Sequence, residues 1–143
     1  MIDKRDEDTP LAGRRLLVVD DSRTVRRSVA AYLESAGASV AVANDGFDAL
    51  AQIVDDAPDA VIADIVMPRL DGYHLCALVR HNERFRDTPI LLLSSRDGLF
   101  DRARASVVGA TEHLAKPFSR EALVSAVVGV IPQRPTEAGS DDG

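Results

Sequence analysis

No intrachain disulfide can form in this chain, because its 143 residues include a single cysteine, Cys76. That fits a reducing compartment. Tryptophan is missing and aromatics make up only 4%, so the core has to be built from Val, Leu, Ile and Ala. No apolar run approaches the ~20 residues needed to span a bilayer. The opening MIDKRDEDTP is charged throughout and does not read as a secretory signal. Nor is there a dense basic patch of the kind that binds nucleic acid. The net charge of −6 sits mostly outside the body. Residues 1–13 hold four acids against two bases and residues 132–143 three against one, leaving −2 for residues 14–131. A secreted disulfide scaffold, a membrane-inserted protein and a nucleic-acid binder are therefore not expected, and a cytoplasmic location is.

Apolar residues make up 45% of the chain, enough for one domain with a real core. Residues 1–13 and 132–143 read as disordered tails: PQRPTEAGSDDG has two prolines, two glycines and no apolar periodicity. Between them strands and helices alternate. The runs Leu16–Val19, Ser39–Ala43, Ala60–Ala63, Ile90–Leu93 and Thr111–Ala115 read as strands, the second more polar and nearer an edge. Helical spacing follows each. In Ser22–Ala36 the apolar positions are Val25, Val29, Tyr32, Leu33 and Ala36, with Ser22 as cap and Gly37 as stop. Phe47, Leu50, Ile53 and Val54 mark the helix at Phe47–Asp55. Tyr73–His81 and Leu99–Val108 follow, and Ser119–Val130 places Leu123, Ala126, Val127 and Val130 inward. Five strand–helix pairs in alternation predict an α/β domain, a doubly wound parallel sheet with helices on both faces. Ligands of such sheets bind at the carboxyl ends of the strands.

Those ends carry a coherent set of groups. The first strand runs into Asp20-Asp21, the third into Asp64, the fourth into Ser94-Ser95 and the fifth into Lys116-Pro117. One acid at a strand end is an ordinary helix cap; three carboxylates, a hydroxyl and a lysine at four ends are a site. Carboxylates a few Å apart repel by roughly 4 kcal/mol per pair at an effective dielectric of 20, so they stay ionised together only around a cation. Oxygen donors select a hard divalent ion, Mg²⁺ above others. A carboxylate held beside such an ion and a lysine can accept a phosphoryl group. Lys116 is itself selective: of 17 basic residues 15 are Arg, and Lys4 is the other lysine. A compact ammonium suits a tight site better than a planar fork, and the proline after it holds Lys116 extended.

The segments LLVVDDS, DAVIADIVMPRLDG, PILLLSS and GATEHLAKPF, in that order over residues 14–131, resemble the receiver domain of two-component response regulators. The resemblance implies a flavodoxin-like sheet of order 2-1-3-4-5. Flavodoxin and a chemotaxis receiver share that order. It also implies that Asp64 is the phosphoacceptor, supplied by a histidine kinase or histidine phosphotransfer domain. Asp21, Asp64 and the backbone carbonyl of Val66 would hold Mg²⁺ directly, with Asp20 acting mainly through water. Ser94 would be the switch hydroxyl, Ser95 its neighbour, Lys116 the partner of the phosphoryl oxygens, and the bond before Pro117 is often cis. The sequence departs from the family at His113, three residues before the lysine, where Tyr or Phe usually performs the coupled rotamer change. An imidazole is smaller, more polar and titratable.

Residues 45–80 and 91–119 resemble more narrowly the small stand-alone receiver of type IV pilus chemosensory systems, which controls twitching motility. The reading that follows is a single-domain response regulator, not an enzyme beyond its own phosphorylation and slow dephosphorylation. Its output would be a partner protein on the face of the fourth helix and fifth strand. A phosphorelay intermediate, a phosphate sink and a chemotaxis or phototaxis receiver are the alternatives. A phosphohydrolase with an aspartyl nucleophile is disfavoured, since such enzymes place a second Asp two residues on, where Val66 stands. Cys76 reads as a small apolar core residue, with no metal-ligand spacing to His74 or His81. Arg26-Arg27 reads as a solvated or partner-facing pair.

Overall fold

The computed structural model describes residues 9–95 and 99–132, without the side chains of 99–101; the expected tail segments 1–8 and 133–143 lie outside the described residues. Five strands and five helices alternate: β1 Arg15–Val19, α1 Arg23–Ser35, β2 Ser39–Ala43, α2 Gly46–Asp56, β3 Ala60–Asp64, α3 Gly72–Arg80, β4 Ile90–Ser94, α4 Leu99–Val107, β5 Glu112–Ala115 and α5 Arg120–Val130. The strands form one parallel sheet of order 2-1-3-4-5, as the resemblance implies. β3 and β4 are buried along their whole length, which is why they read as unbroken apolar runs. β2 is largely exposed and lies at one edge, with β5 at the other.

Alternation along the strands divides the core into two layers. Leu17, Val19, Val61, Ala63, Ile90 and Leu92 meet α2, α3 and α4 on one face. Leu16, Val18, Ile62, Leu91 and Leu93 meet α1 and α5 on the other. Cys76 is buried in the first layer. Ser22, Asp45, Asp71 and Ser119 cap α1, α2, α3 and α5, each accepting from a backbone N–H three residues on. No helix among the described residues is long and apolar enough to cross a membrane.

Three expectations are corrected. The N-terminal tail does not extend to residue 13: Leu11 is buried against α1 and α5, and its N–H donates to the Ala36 carbonyl at 2.9 Å. On α2 the inward residues are Gly46, Ala49 and Ile53, whereas Phe47 and Val54 stand exposed and Leu50 is half-buried. The reason is steric. A Cβ on Gly46 would lie 2.7 Å from a Leu70 methyl, so the first turn of this face approaches too closely for any side chain there. On α5, Val124 is buried and Ala126 only half-buried.

Arg80 ties the lower end of the sheet. Its guanidinium donates to the carbonyls of Gly109 (2.8 Å), Arg86 (2.9 Å) and Thr88 (2.8 Å). It thereby joins α3 to the loops that precede β4 and β5. Hydrogen bonds from a charged donor are worth more than neutral ones, and three acceptors lose theirs together. Arg80→Met is therefore expected to destabilise the fold by about 2–4 kcal/mol, measured by urea unfolding with an unchanged m-value.

Candidate metal and phosphoryl site

The groups expected at the strand ends converge. Asp20, directly after β1, and Asp64, the last residue of β3, are buried, while Asp21 is exposed at the rim. One carboxylate oxygen from each lies within 4.8 Å of the other two. Ser94 ends β4 and is buried; Ser95 beyond it is exposed. The Lys116 N–H donates to the Ser94 carbonyl at 2.6 Å, extending the β4–β5 ladder to the lysine, and the Lys116–Pro117 bond is cis. Lys116 Nζ then reaches 3.5 Å from Asp64 Oδ1 and 3.8 Å from Asp20 Oδ2. Parallel strands in register are what place these side chains on one rim.

The backbone around the acids is fixed by further bonds. Asp20 Oδ1 accepts the Ser22 N–H at 2.8 Å, and the Val66 N–H donates to the Asp64 carboxylate. Arg26 is not the solvated residue expected: its guanidinium donates to the Asp20 carbonyl at 2.7 Å and holds the β1–α1 turn. Its position one turn into the helix after Asp20-Asp21 was the available signal. Arg27 is exposed, as expected. Gly72 is required where it stands, because a Cβ there would come within 2.6 Å of the Asp64 carbonyl. Val66 sits in the loop just past Asp64 with its side chain outward. His74 Nδ1 pairs with Asp71 Oδ1 at 3.0 Å and His81 Nδ1 lies 2.7 Å from the Ala77 carbonyl, so neither joins Cys76 or the acidic cluster.

Electrostatically the pocket is short of positive charge. Burial pushes the Asp64 carboxyl above its usual range, and the Asp20 charge adds to that; Lys116 opposes both. Asp20 is raised chiefly by burial too, against the Ser22 N–H and Lys116. Asp20 Oδ2 is buried without a hydrogen-bond partner. An orphan carboxylate oxygen facing two further carboxylates is the donor set of a hard divalent cation. The residues present fit one.

A stability prediction follows with a definite sign. A carboxyl whose pKa is raised on folding stabilises the fold at low pH and loses that contribution as pH rises through the folded value. Metal-free protein therefore carries unrelieved repulsion at neutral pH. Asp20→Asn keeps the oxygen that accepts from Ser22 and removes one charge. In chelator it is expected to raise the melting temperature at pH 7, with the gain disappearing below the ordinary carboxylate range. Added Mg²⁺ is expected to stabilise wild type more than Asp20→Asn, and progressively less as pH falls. Thermal scans across pH, with and without Mg²⁺, check both.

His113 pairs in register with Leu92 and so projects under α4, where it lines a cavity of 190 Å³ with Arg102, Ala105, Ser106, Ala110 and Thr111. Its Nε2 is buried and makes no hydrogen bond. It is separate from the acidic cluster.

Comparison with known proteins agrees with this geometry. Residues 16–128 match the response regulator receiver domain family. Protein PilG of Pseudomonas aeruginosa is 48% identical over 120 residues, covering 84% of this chain and 89% of its own length. Response regulator MprA of Mycobacterium sp. (strain KMS) is 40% identical over 127 residues, 89% of this chain; the chain spans 54% of MprA. The chemotaxis protein CheY4 of Vibrio cholerae superposes with a TM-score of 0.79 at 35% identity, over 84% of this chain and 100% of that one.

Proposed function

The chain belongs to the response regulator receiver family, and from that premise we propose that it takes a phosphoryl group on Asp64 and signals through a phosphorylation-dependent protein contact. The observation that carries this reading is Lys116 Nζ at 3.5 Å from Asp64 Oδ1, inside a cluster of three carboxylates at the strand ends.

An Asp64 carboxylate oxygen attacks phosphorus in line, the P–O bond forms, and the bond to the donor's histidine nitrogen or acyl oxygen breaks with the leaving group taking the electron pair. Lys116 pairs with a phosphoryl oxygen and offsets the added charge. Asp20, Asp21, Asp64 and the Val66 carbonyl would hold Mg²⁺, which supplies further charge neutralisation when bound. Arg26 keeps Asp20 in place through its carbonyl, and Ser94, at the adjoining strand end, supplies the switch hydroxyl. His113 stands where the change at Ser94 would pass to α4. The protein is a phosphoacceptor and not a turnover enzyme, since Val66 occupies the position of a hydrolase's second acid.

The output surface in this reading is the α4–β5 face. The partner must bind the two forms with different free energy; moving a 1:99 population to 99:1 takes about 5.5 kcal/mol. A role in type IV pilus twitching is supported by the resemblance of residues 45–80 and 91–119 and by the identity to Protein PilG. The test is a pull-down with unmodified chain and with a stable phosphoryl-mimic form. Enrichment of pilus extension-motor components by the mimic alone supports the proposal. Flagellar-switch components would overturn the twitching assignment. Fast phosphoryl return to a histidine phosphotransfer domain, with no state-dependent partner, would make the chain a relay or sink.

A further inference from the structure

Two residues other than glycine have a positive φ among those described, Ala57 at 46° and Arg69 at 67°. Ala57 closes α2, where a left-handed residue is ordinary. Arg69 ends no helix. It stands in the loop between Asp64 and α3, and the Leu70 N–H donates across it to the Pro68 carbonyl at 2.7 Å. A bond between residues two apart, about a centre of positive φ, is a γ-turn of the strained kind. Such a backbone persists only where its surroundings over-determine it.

Here the determinants come from the β2–α2 junction. Arg69 Nη2 donates to Asp45 Oδ2 at 2.8 Å, and its guanidinium lies 5.7 Å from the centre of the Phe47 ring. Leu70, the next residue, is buried so close to Gly46 that a Cβ there would meet its side chain at 2.7 Å. Asp45 is itself fixed, since its other oxygen accepts the Asp48 N–H at 2.8 Å and caps α2. The base of the loop is closed separately, by the Gly72 N–H on the Ile65 carbonyl at 2.9 Å. What Asp45 and Gly46 hold is therefore the tip.

The loop bears on the acidic pocket through Val66, three residues before Arg69. The carboxylate donors proposed for the metal can adjust by side-chain rotation. The Val66 carbonyl is backbone, and only the path of the loop can aim it. The same junction steadies the opposite wall, because the Ala43 carbonyl accepts the Asp20 N–H at 3.2 Å. We propose that Arg69 is a positioning residue for the metal: its ion pair with Asp45 keeps the loop in the conformation that offers the Val66 carbonyl to Mg²⁺, an assignment that rests on reading Asp20, Asp21, Asp64 and Val66 as the donors. The Arg69 side chain is 68% exposed, so the ion pair is a weak one and its loss opens the loop in only a fraction of molecules.

Mg²⁺ titrations of the ¹⁵N-labelled full chain, followed by amide shifts, test this as a double-mutant cycle. Arg69→Met and Asp45→Asn are each expected to raise the Mg²⁺ Kd about three- to fivefold. Asparagine caps a helix as well as aspartate does, so α2 keeps its start. Together the two substitutions should cost no more than either alone. Arg69→Lys restores the cation and should recover part of the loss. The sign separates positioning from plain Coulomb attraction: removing a cation near an acidic pocket would by itself tighten Mg²⁺ binding. An Arg69→Met Kd equal to or below that of wild type overturns the proposal, as do additive effects in the double variant. A lowered melting temperature with an unchanged Kd overturns it too, leaving Arg69 a purely structural residue. Wild type that binds no Mg²⁺ would overturn the donor assignment and the role of Arg69 with it; wild type that binds Mg²⁺ with the variants unaffected overturns the role of Arg69 alone.

Discussion

Asp64→Asn is expected to take up no phosphoryl group from a histidine kinase or a small acyl phosphate, while remaining folded. The amide retains the shape of the side chain and its position at the end of β3, but its oxygen is a far poorer nucleophile than a carboxylate. Removing a carboxylate that burial and the Asp20 charge hold above its usual range should also make the metal-free variant at least as stable as wild type. Loss of labelling with a preserved or raised melting temperature separates chemistry from collapse. In the partner pull-down the same variant should behave as the unphosphorylated form whatever donor is present. Retention of labelling by Asp64→Asn would place the acceptor elsewhere.

Lys116→Met carries the second large effect. Its ammonium is the cation that the described side chains bring within 4 Å of Asp64, and it also faces Asp20. Removing one preorganised charge from the oxygens that gain negative charge in a transfer typically costs 10²–10³-fold in rate, about 2.7–4 kcal/mol. The phosphorylation rate at saturating Mg²⁺ is expected to drop by about that factor. Lys116→Arg should recover only part of it, since a broad planar guanidinium does not reproduce a compact point charge 3.5 Å from Asp64 Oδ1. Rapid-quench labelling of the three proteins measures the series. A wild-type rate in Lys116→Met would remove the lysine from the chemistry.

Much of this site is legible in the sequence because strands buried on both faces leave a plain trace. Val61, Ile62 and Ala63 form an unbroken apolar run, so the acid that ends it, Asp64, is conspicuous. The same holds for Leu91–Leu93 before Ser94. Lys116 stands out in a chain that otherwise uses Arg. What stays hidden is contact that has no period. Leu11 is one apolar residue in a polar stretch, and nothing in its spacing tells that α1 and α5 close over it. Arg26 acts through a backbone carbonyl, an acceptor every residue possesses. α2 misleads for a different reason: hydropathy weights Phe47 and Val54 above Gly46 and Ala49, yet the close approach of Leu70 leaves no room for a side chain at Gly46, on the buried face. The stripe that looks most like core is the one left outside. Tertiary spacing, not helical period, decides which flank is buried.

The most direct test is where phosphorus goes when the purified chain meets an acyl phosphate, read by intact mass and peptide mapping with and without chelator. The account predicts one acid-stable, base-labile phosphoryl group per chain, on Asp64, formed with Mg²⁺ present and suppressed when Mg²⁺ is removed. Phosphate on a serine or histidine, uptake indifferent to chelation, or no uptake at all would contradict it.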